Sequence, residues 1–493
     1  MASIVAPSWF RRLAVILRFV GALLMAFSVT LLPPILVSLW YGDGATRAFA
    51  DALVLALAAG FVCWFPNRRA RREPHLREGF AVVLLFWGLV PLVGAVPFVF
   101  SEQPHMHFVN AVFEAASGLT TTGATVLSGL DHMPHAILFY RAELNFLGGM
   151  GIVVLAVALL PMLHIGGMQL YVAETPGPMK EKKLAPRVRD TARTLWKVYV
   201  GLNVACTLGY WTAGMSLFDA ICHSFATLAL GGFSNYDANL GHFQSPAIEI
   251  VAGAFSMAAG INMALHFLAW RSKSTDAYLR EPEFRAYGAF IAGLVVVTCV
   301  YLYLSETFPF WQSVYHGFFQ AISVATDNGL VTVGCPAQWP AFIVVLLVVA
   351  SFVGGCAGST CGGIKAFRFL VMFKQAAREL RLLVHPSAEI AIKVGHHTVP
   401  DRVIQAVWGL VFVYVSMYVL LSLLLMVLGL DPVTAFGSVA GCMNNMGVGL
   451  GQTAVSFEGL GDAAKTLLVF AMLVGRFEVL PFLLLLTRDF WRA

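Results

Sequence analysis

Glycine-centred patches of similar composition recur four times in this chain: Leu119-Thr-Thr-Thr-Gly123-Ala-Thr125, Leu228-Ala-Leu-Gly-Gly232-Phe-Ser234, Ala325-Thr-Asp-Asn-Gly329-Leu-Val331 and Met443-Asn-Asn-Met-Gly447-Val-Gly449. The chemistry they offer is coordination by oxygen. Glycine at each centre admits backbone angles that a Cβ penalises, so neighbouring carbonyls can turn toward one axis and replace the water lost by a cation. The candidate ligand positions are Thr121, Thr122, Gly123, Leu230, Gly231, Gly232, Asp327, Asn328, Gly329, Asn445, Met446 and Gly447. Several oxygens per level suit a large, weakly hydrated monovalent ion such as K⁺, whereas Mg²⁺ or Ca²⁺ calls for carboxylates.

The four central glycines stand 109, 97 and 118 residues apart, the mark of one unit used four times. Small residues also serve plain helix packing in membranes, but four of them at matching positions argue for a shared axis. The copies differ in detail. The first offers threonine hydroxyls and the fourth Asn444 and Asn445, either of which can add ligands or bond to backbone. In the third, Asp327 can attract cations, brace backbone donors or carry a proton. Bracing is the preferred expectation, because buried charges are hydrogen-bonded.

Composition dictates the elements that must position these patches. With 58% hydrophobic and 12% charged residues over 493 positions, the chain reads as a polytopic, all-α membrane protein. Apolar runs long enough to span a bilayer fall near 13–40, 48–65, 80–100, 137–163, 195–217, 247–270, 287–305, 341–372, 403–430 and 465–487. The first resembles a secretory signal but is too long and holds Pro33-Pro34 in place of a cleavage site, so it is expected to remain as a helix. Four apolar pieces are too short to cross: Phe108–Gly118, Phe218–Thr227, Val314–Val324 and Val433–Cys442. A helix of that length reaches about 16 Å, half of a hydrocarbon core. Each is expected to enter, stop and return, leaving its patch beside a water-filled path, because lipid satisfies no free backbone groups. The negative pole of such a helix end also favours a cation.

The span from Ala341 contains Gly354, Gly355, Gly358, Gly362 and Gly363 within ten positions, together with Ser359 and Thr360. Five glycines cost a helix about 5 kcal/mol relative to alanine, so the helix is expected to break there, just below the third patch, as a gate or a passive hinge. Arg476 and Glu478 interrupt the last apolar run. Two positions apart, they do not face each other. Arg476 is expected to reach carbonyls of the glycine-rich break or Ser359, unless it pairs with another helix.

Charge sets an orientation. Loops 66–78, 164–197, 271–285 and 365–402 hold 23 of the 32 basic residues, while 101–140, 216–246, 304–340 and 430–464 hold none and carry ten acids. The basic loops therefore read as cytoplasmic, with the N-terminus, and the acidic stretches as outward. An acidic mouth also concentrates cations. The eight cysteines are scattered without a CxxC pair, so no disulfide framework, zinc site or redox switch is expected.

With these residues assembled, the chain resembles the TrkH type of potassium uptake proteins, in the superfamily that includes the Ktr and HKT transporters. The resemblance rests on Gly118-Leu-Thr-Thr-Thr-Gly-Ala-Thr125, Leu147-Gly-Gly-Met-Gly151, Gly167-Met-Gln-Leu-Tyr171, Ala173-Glu-Thr-Pro-Gly-Pro178, Gly354-Gly-Cys-Ala-Gly-Ser-Thr360 and Gly475-Arg-Phe-Glu478. It implies four helix–pore helix–helix repeats around a central pore after two additional N-terminal spans: 1–78, then 79–190, 191–285, 286–402 with a gating loop at 354–363, and 403–493. It also implies an arginine, here Arg476, acting on that loop. Gly123 resembles potassium-selective members, where a serine marks sodium-preferring ones. Asp327-Asn328 departs from the threonine-rich third filter of the family. Further implications are transported K⁺ with no organic cofactor, a bacterial inner-membrane location, a homodimer, and docking of cytoplasmic nucleotide-binding regulatory subunits of the TrkA type on loops 164–197 and 365–402.

Other readings remain open on the residues alone. One is a sodium-permeable or non-selective channel of the same architecture, and another is symport with H⁺ or Na⁺. A third is a membrane transferase using Glu143, His164 and Asp190, though no cluster of acids or metal ligands at one face supports an enzyme.

Overall fold

Proline, glycine and capping side chains set several of the helix boundaries in this chain. The computed structural model describes residues 8–69, 76–163, 184–335, 338–395, 397–477, 479 and 487. By contact the chain divides into two units, one of residues 1–116, 129–141 and 477–493, the other of residues 117–128 and 142–476.

The first unit holds α1 (Ser8–Val29), α2 (Leu32–Tyr41), α3 (Thr46–Trp64), α4 (Leu76–Gly94) and α5 (Val96–Phe100). The first apolar run is thus two helices, because Pro33-Pro34 begins a new one in its first turn. The third run breaks likewise before Pro97. Helices α1 and α3 meet through Gly21 and Gly60: a Cβ on Gly21 would lie 2.6 Å from the Gly60 carbonyl oxygen. Such small-residue contacts are how apolar helices approach closely in lipid.

Two helices run along the chain from one unit into the other, α6 (Phe108–Leu119) and α7 (His135–Leu163). The second unit continues with α8 (Leu184–Thr212), α9 (Leu217–Ala229), α10 (Pro246–Ala259), α11 (Met263–Ser272), α12 (Asp276–Arg280), α13 (Pro282–Leu304) and α14 (Phe310–Ala325). It ends with α15 (Ala341–Ser351), α16 (Ala366–Val384), α17 (Asp401–Val427), α18 (Pro432–Met443) and α19 (Asp462–Arg476). A two-stranded ribbon, Lys393–Val394 against His397–Thr398, precedes α17. Five described helical segments are long and apolar enough to cross a membrane, six if the bent pair α10 and α11 is one span. The chain is a helical, multi-pass membrane protein.

The helices that lead into the four glycine patches are α6, α9, α14 and α18; α6, α9 and α18 are short and apolar, as is α15, whereas α14 is the longest of the four at 16 residues. Caps explain their starts. Ser216 accepts from Asp219 N at 3.0 Å to begin α9, and Asp431 accepts from Thr434 N at 3.0 Å to begin α18. Helix α14 starts at Phe310, four residues earlier than the apolar pattern suggests, because Pro309 at its N-cap opens a hydrogen-bonded turn to Ser313.

One run departs from a straight span. The 247–270 stretch bends by 94° between α10 and α11. Gly260 ends the first helix, and the Asn262 side chain caps the second by accepting from Ala264 N at 2.9 Å. In the first unit, Arg141 of α7 donates from Nε to Glu114 of α6 at 2.8 Å, both side chains fully buried. Sequence reading left this pair unnoticed. Removing one partner of a buried pair costs about 3 to 5 kcal/mol, so Glu114→Ala is expected to lower the thermal unfolding midpoint of the purified protein markedly, and a midpoint like that of wild type would show the pair to be incidental.

Candidate functional site

Each short helix ends in the same way. The residue two before the central glycine adopts left-handed backbone: Thr121 (φ 51°), Leu230 (55°), Asp327 (59°) and Asn445 (59°). The glycines follow suit at Gly123 (83°), Gly232 (66°), Gly329 (74°) and Gly447 (77°). Between them, Thr122 N donates to Ser117 O, Gly231 N to Ala226 O, Asn328 N to Ser323 O and Met446 N to Gly441 O, at 2.8, 2.8, 2.8 and 2.9 Å. This is the Schellman closure of a helix C-terminus, made four times. It turns the chain abruptly and leaves the next carbonyls unused by the helix.

Those carbonyls meet the neighbouring copy. A Cβ on Gly123 would lie 2.5 Å from the Gly231 oxygen, and one on Gly232 would lie 2.6 Å from the Asn328 oxygen. A Cβ on Gly329 would strike the Met446 oxygen, and one on Gly447 the Thr122 oxygen. The order 123, 232, 329, 447 and back to 123 closes a ring. Eight of the twelve candidate residues make these contacts (Thr122, Gly123, Gly231, Gly232, Asn328, Gly329, Met446 and Gly447), and no side chain fits between adjacent quarters.

Side chains brace the ring from outside. Asn445 Nδ2 donates to Thr122 Oγ1 at 2.8 Å and to Met472 O at 3.1 Å, joining the fourth copy to the first. Asn328 Nδ2 donates to Ser256 Oγ at 2.6 Å. Asn444 bridges Tyr414 and Ser351 at 2.6 and 2.7 Å. Beyond the third copy, Thr332 bonds Glu249 at 2.8 Å, and His316 sits 3.0 Å from the same carboxylate. These polar side chains bind protein groups: Asn444 bonds two hydroxyls, and Asn445 one hydroxyl and the Met472 carbonyl.

Asp327 behaves otherwise than expected. Neither carboxylate oxygen has a hydrogen-bond partner among the described residues, so it braces no backbone donor. Its left-handed backbone closes α14, a conformation that aspartate tolerates better than most residues. The side chain lies against the glycine-rich segment, where a Cβ on Gly354 would be 3.4 Å from Oδ2. Lys365 and Arg476 are its electrostatic partners.

The glycine-rich segment is non-helical from the end of α15 at Ser351 to the start of α16 at Ala366. Gly354, Gly358 and Gly363 have left-handed backbone (φ 64°, 79° and 65°). The segment folds on itself, since a Cβ on Gly354 would lie 2.6 Å from the Gly362 oxygen, and Gly362 in turn abuts the Asn444 carbonyl beside the ring. Gly355 packs on the Gly260 carbonyl, which accepts from Cys356 N at 2.8 Å. Thr360 Oγ1 donates to Leu228 O at 3.0 Å. Arg476 Nη1 donates to Thr360 O at 3.0 Å, whereas Ser359 turns to Cys356 O at 2.6 Å. Of the two acceptors expected for Arg476, the backbone carbonyl is the one used. Glu478 lies outside the described residues.

Two functional contacts escaped sequence reading. Glu283, in the first turn of α13, accepts from Ala357 N at 2.7 Å and Phe367 N at 3.2 Å, tying the inside of the segment to the start of α16. It looks like an ordinary N-terminal helix acid, and its partners lie 74 and 84 residues away. Asn239 accepts from Val331 N at 3.1 Å and donates to Gly232 O at 3.4 Å, joining the second and third copies. The Leu147-Gly-Gly-Met-Gly151 motif proves to be steric: a Cβ on Gly148 would strike the Leu119 oxygen, and Gly149 packs on Ala229. The motifs at 167–171 and 173–178 and His164 lie outside the described residues, as does the Asp190 side chain. Glu143 is buried in α7, and no metal-holding cluster of His, Cys, Asp and Glu occurs among the described residues.

A family profile described as TrkH, cation transport protein, matches residues 45–491. The chain belongs to the TrkH family. It is 48% identical over 478 residues to the Trk system potassium uptake protein TrkH of Escherichia coli K12, covering 97% of this chain and 99% of that protein. The TrkG protein of the same organism, also a Trk system potassium uptake protein, is 41% identical over 479 residues with the same coverage. The crystal structure of the potassium transporter TrkH from Vibrio parahaemolyticus superposes with a TM-score of 0.91 at 44% identity, covering 98% of this chain and all of that one. The family consists of transporters, and the chain is not an enzyme.

Removing the bridge between the first and fourth copies tests the bracing. Asn445→Ala is expected to cost about 1 to 3 kcal/mol through unsatisfied buried partners, read as a lowered unfolding midpoint by fluorescence-detected thermal scanning. An unchanged midpoint would sink the role given to this side chain.

Proposed function

We propose that this chain mediates K⁺ uptake across a bacterial inner membrane, through a filter of main-chain oxygens at 121–123, 230–232, 327–329 and 445–447. The closed ring of four glycine contacts carries this reading. Carbonyl oxygens replace the hydration of a large monovalent ion, and the acidic stretches without lysine or arginine draw cations to the outer side. Relatives named as potassium uptake proteins support the choice of ion.

The segment 354–363 serves as the gate. It sits against the ring at Asn444 and Asp327, and Arg476 holds it through the Thr360 carbonyl. The basic loops face the cytoplasm, following the retention of positive charge on that side. Two copies form a homodimer, and regulatory subunits of the TrkA type dock on the cytoplasmic loops. Exposed Phe373, Leu380 and Leu383 on α16, beside Arg378 and Arg381, suit such a surface.

Three measurements test this. Protein reconstituted in liposomes should carry rubidium, and its reversal potential under imposed pH and sodium gradients should follow K⁺ alone if the path is a channel. Gly123→Ser should shift the K⁺/Na⁺ ratio toward sodium, because the ring has no room there; an unchanged ratio removes Gly123 from the filter. Arg476→Ala should change open probability by about 10- to 100-fold, the worth of a charged hydrogen bond, with selectivity intact. Unaltered gating would remove that role.

A further inference from the structure

A cavity of about 580 Å³ opens among α8, α11 and α12, well away from the ring in sequence and in lining. Its walls combine two kinds of surface. Lys197 and Lys273 line it, both exposed and neither with an ion-pair partner among the described residues. Leu202, Trp270 and Gly201 form part of the rest, with polar groups including His266 and Tyr278. Trp270 is 71% exposed, as suits a side chain at the level of lipid headgroups. Nothing lies within 4 Å of the place a Gly201 Cβ would occupy, so the slot between the helices is open.

The backbone at Lys273 adds a second observation. Lys273 ends α11 with a left-handed φ of 51°, a position glycine would take with less strain. The ammonium group offsets that cost if an anion sits in the cavity. The Tyr278 hydroxyl is engaged by His266 Nδ1 at 2.8 Å, and the other imidazole nitrogen, Nε2, meets Ala258 O at 2.8 Å. The lysines are thus the positive groups in the lining, with His266 occupied at both nitrogens.

We propose that this cavity binds the headgroup of an anionic phospholipid, its phosphate between Lys197 and Lys273 and an acyl chain along Leu202 and Trp270 through the slot at Gly201. Basic pockets where spans leave the membrane on the positive side are suited to such headgroups. An apolar wall has no use for free phosphate, which is why a lipid is the occupant. The bend between α10 and α11 builds this cavity and also presents Gly260 to the glycine-rich segment, so an occupied cavity stiffens the elbow that supports the segment.

The test uses the full-length protein, delipidated in detergent and titrated with phosphatidylglycerol or phosphatidylcholine under native mass spectrometry. Phosphatidylglycerol should bind preferentially, with affinity falling about fivefold for Lys197→Gln or Lys273→Gln and about thirtyfold for both together, from the usual worth of one basic residue near an anionic headgroup. Gly201→Phe, which keeps both charges but fills the slot, should weaken binding as well. Arg280→Gln, outside the cavity and paired with Asp276, should leave it unchanged and controls for bulk charge. Equal binding of the two lipids, full binding by the double variant, or displacement of the lipid by millimolar inorganic phosphate would each overturn the proposal. The binding readout is independent of ion flux, so it stands or falls apart from the filter reading.

Discussion

Between adjacent quarters of the ring there is room for hydrogen and nothing larger. Each central glycine faces the carbonyl of the next copy at a distance that a methyl group could not share, and that contact sets how near four backbones come to a common axis. Everything around the ring follows from holding main-chain oxygens at that spacing. The helix ends are closed by Schellman hydrogen bonds, so the carbonyls that remain are those beyond the closure.

A bilayer interior offers no solvent to backbone groups, so the turns around the ring must be satisfied by protein. Asparagine does much of this, at Asn239, Asn328, Asn444 and Asn445, each joining one copy to a separate element. The left-handed residue that ends each helix is threonine, leucine, aspartate or asparagine. Only the last two tolerate that conformation well. Strain at Thr121 and Leu230 persists because the surrounding contacts over-determine it, as is common where backbone geometry serves a site.

The glycine-rich segment is suspended from anchors on several elements. Glu283 on α13 holds Ala357 within it and Phe367 at the start of α16, Thr360 reaches the end of α9, the break after α10 accepts from Cys356, and Arg476 on α19 holds the Thr360 carbonyl. Asp327 brings a carboxyl group from the ring toward the same place, near Lys365 and Arg476. Losing any one anchor leaves the others, so a shift of the segment can be partial and reversible, as the proposed gate requires.

Much of this was legible in one dimension. Repeated glycine patches, the helix before each of them and the break after Ser351 are local features, written in spacing and composition because helix signals and glycine cost are properties of the chain itself. So was the reach of Arg476, since a charge in an apolar run must find a partner. Other features were not. The role of Asp327 depends on which way a left-handed residue throws its side chain. The bend after α10 depends on a carbonyl taken up from another repeat, and Glu283 and Arg141 owe their importance to partners distant along the chain or across the helix turn. The sequence by itself determined that four oxygen-bearing turns exist within a membrane. Only the tertiary structure decided that they meet edge to edge, because the closeness of two backbones is a property of neither alone.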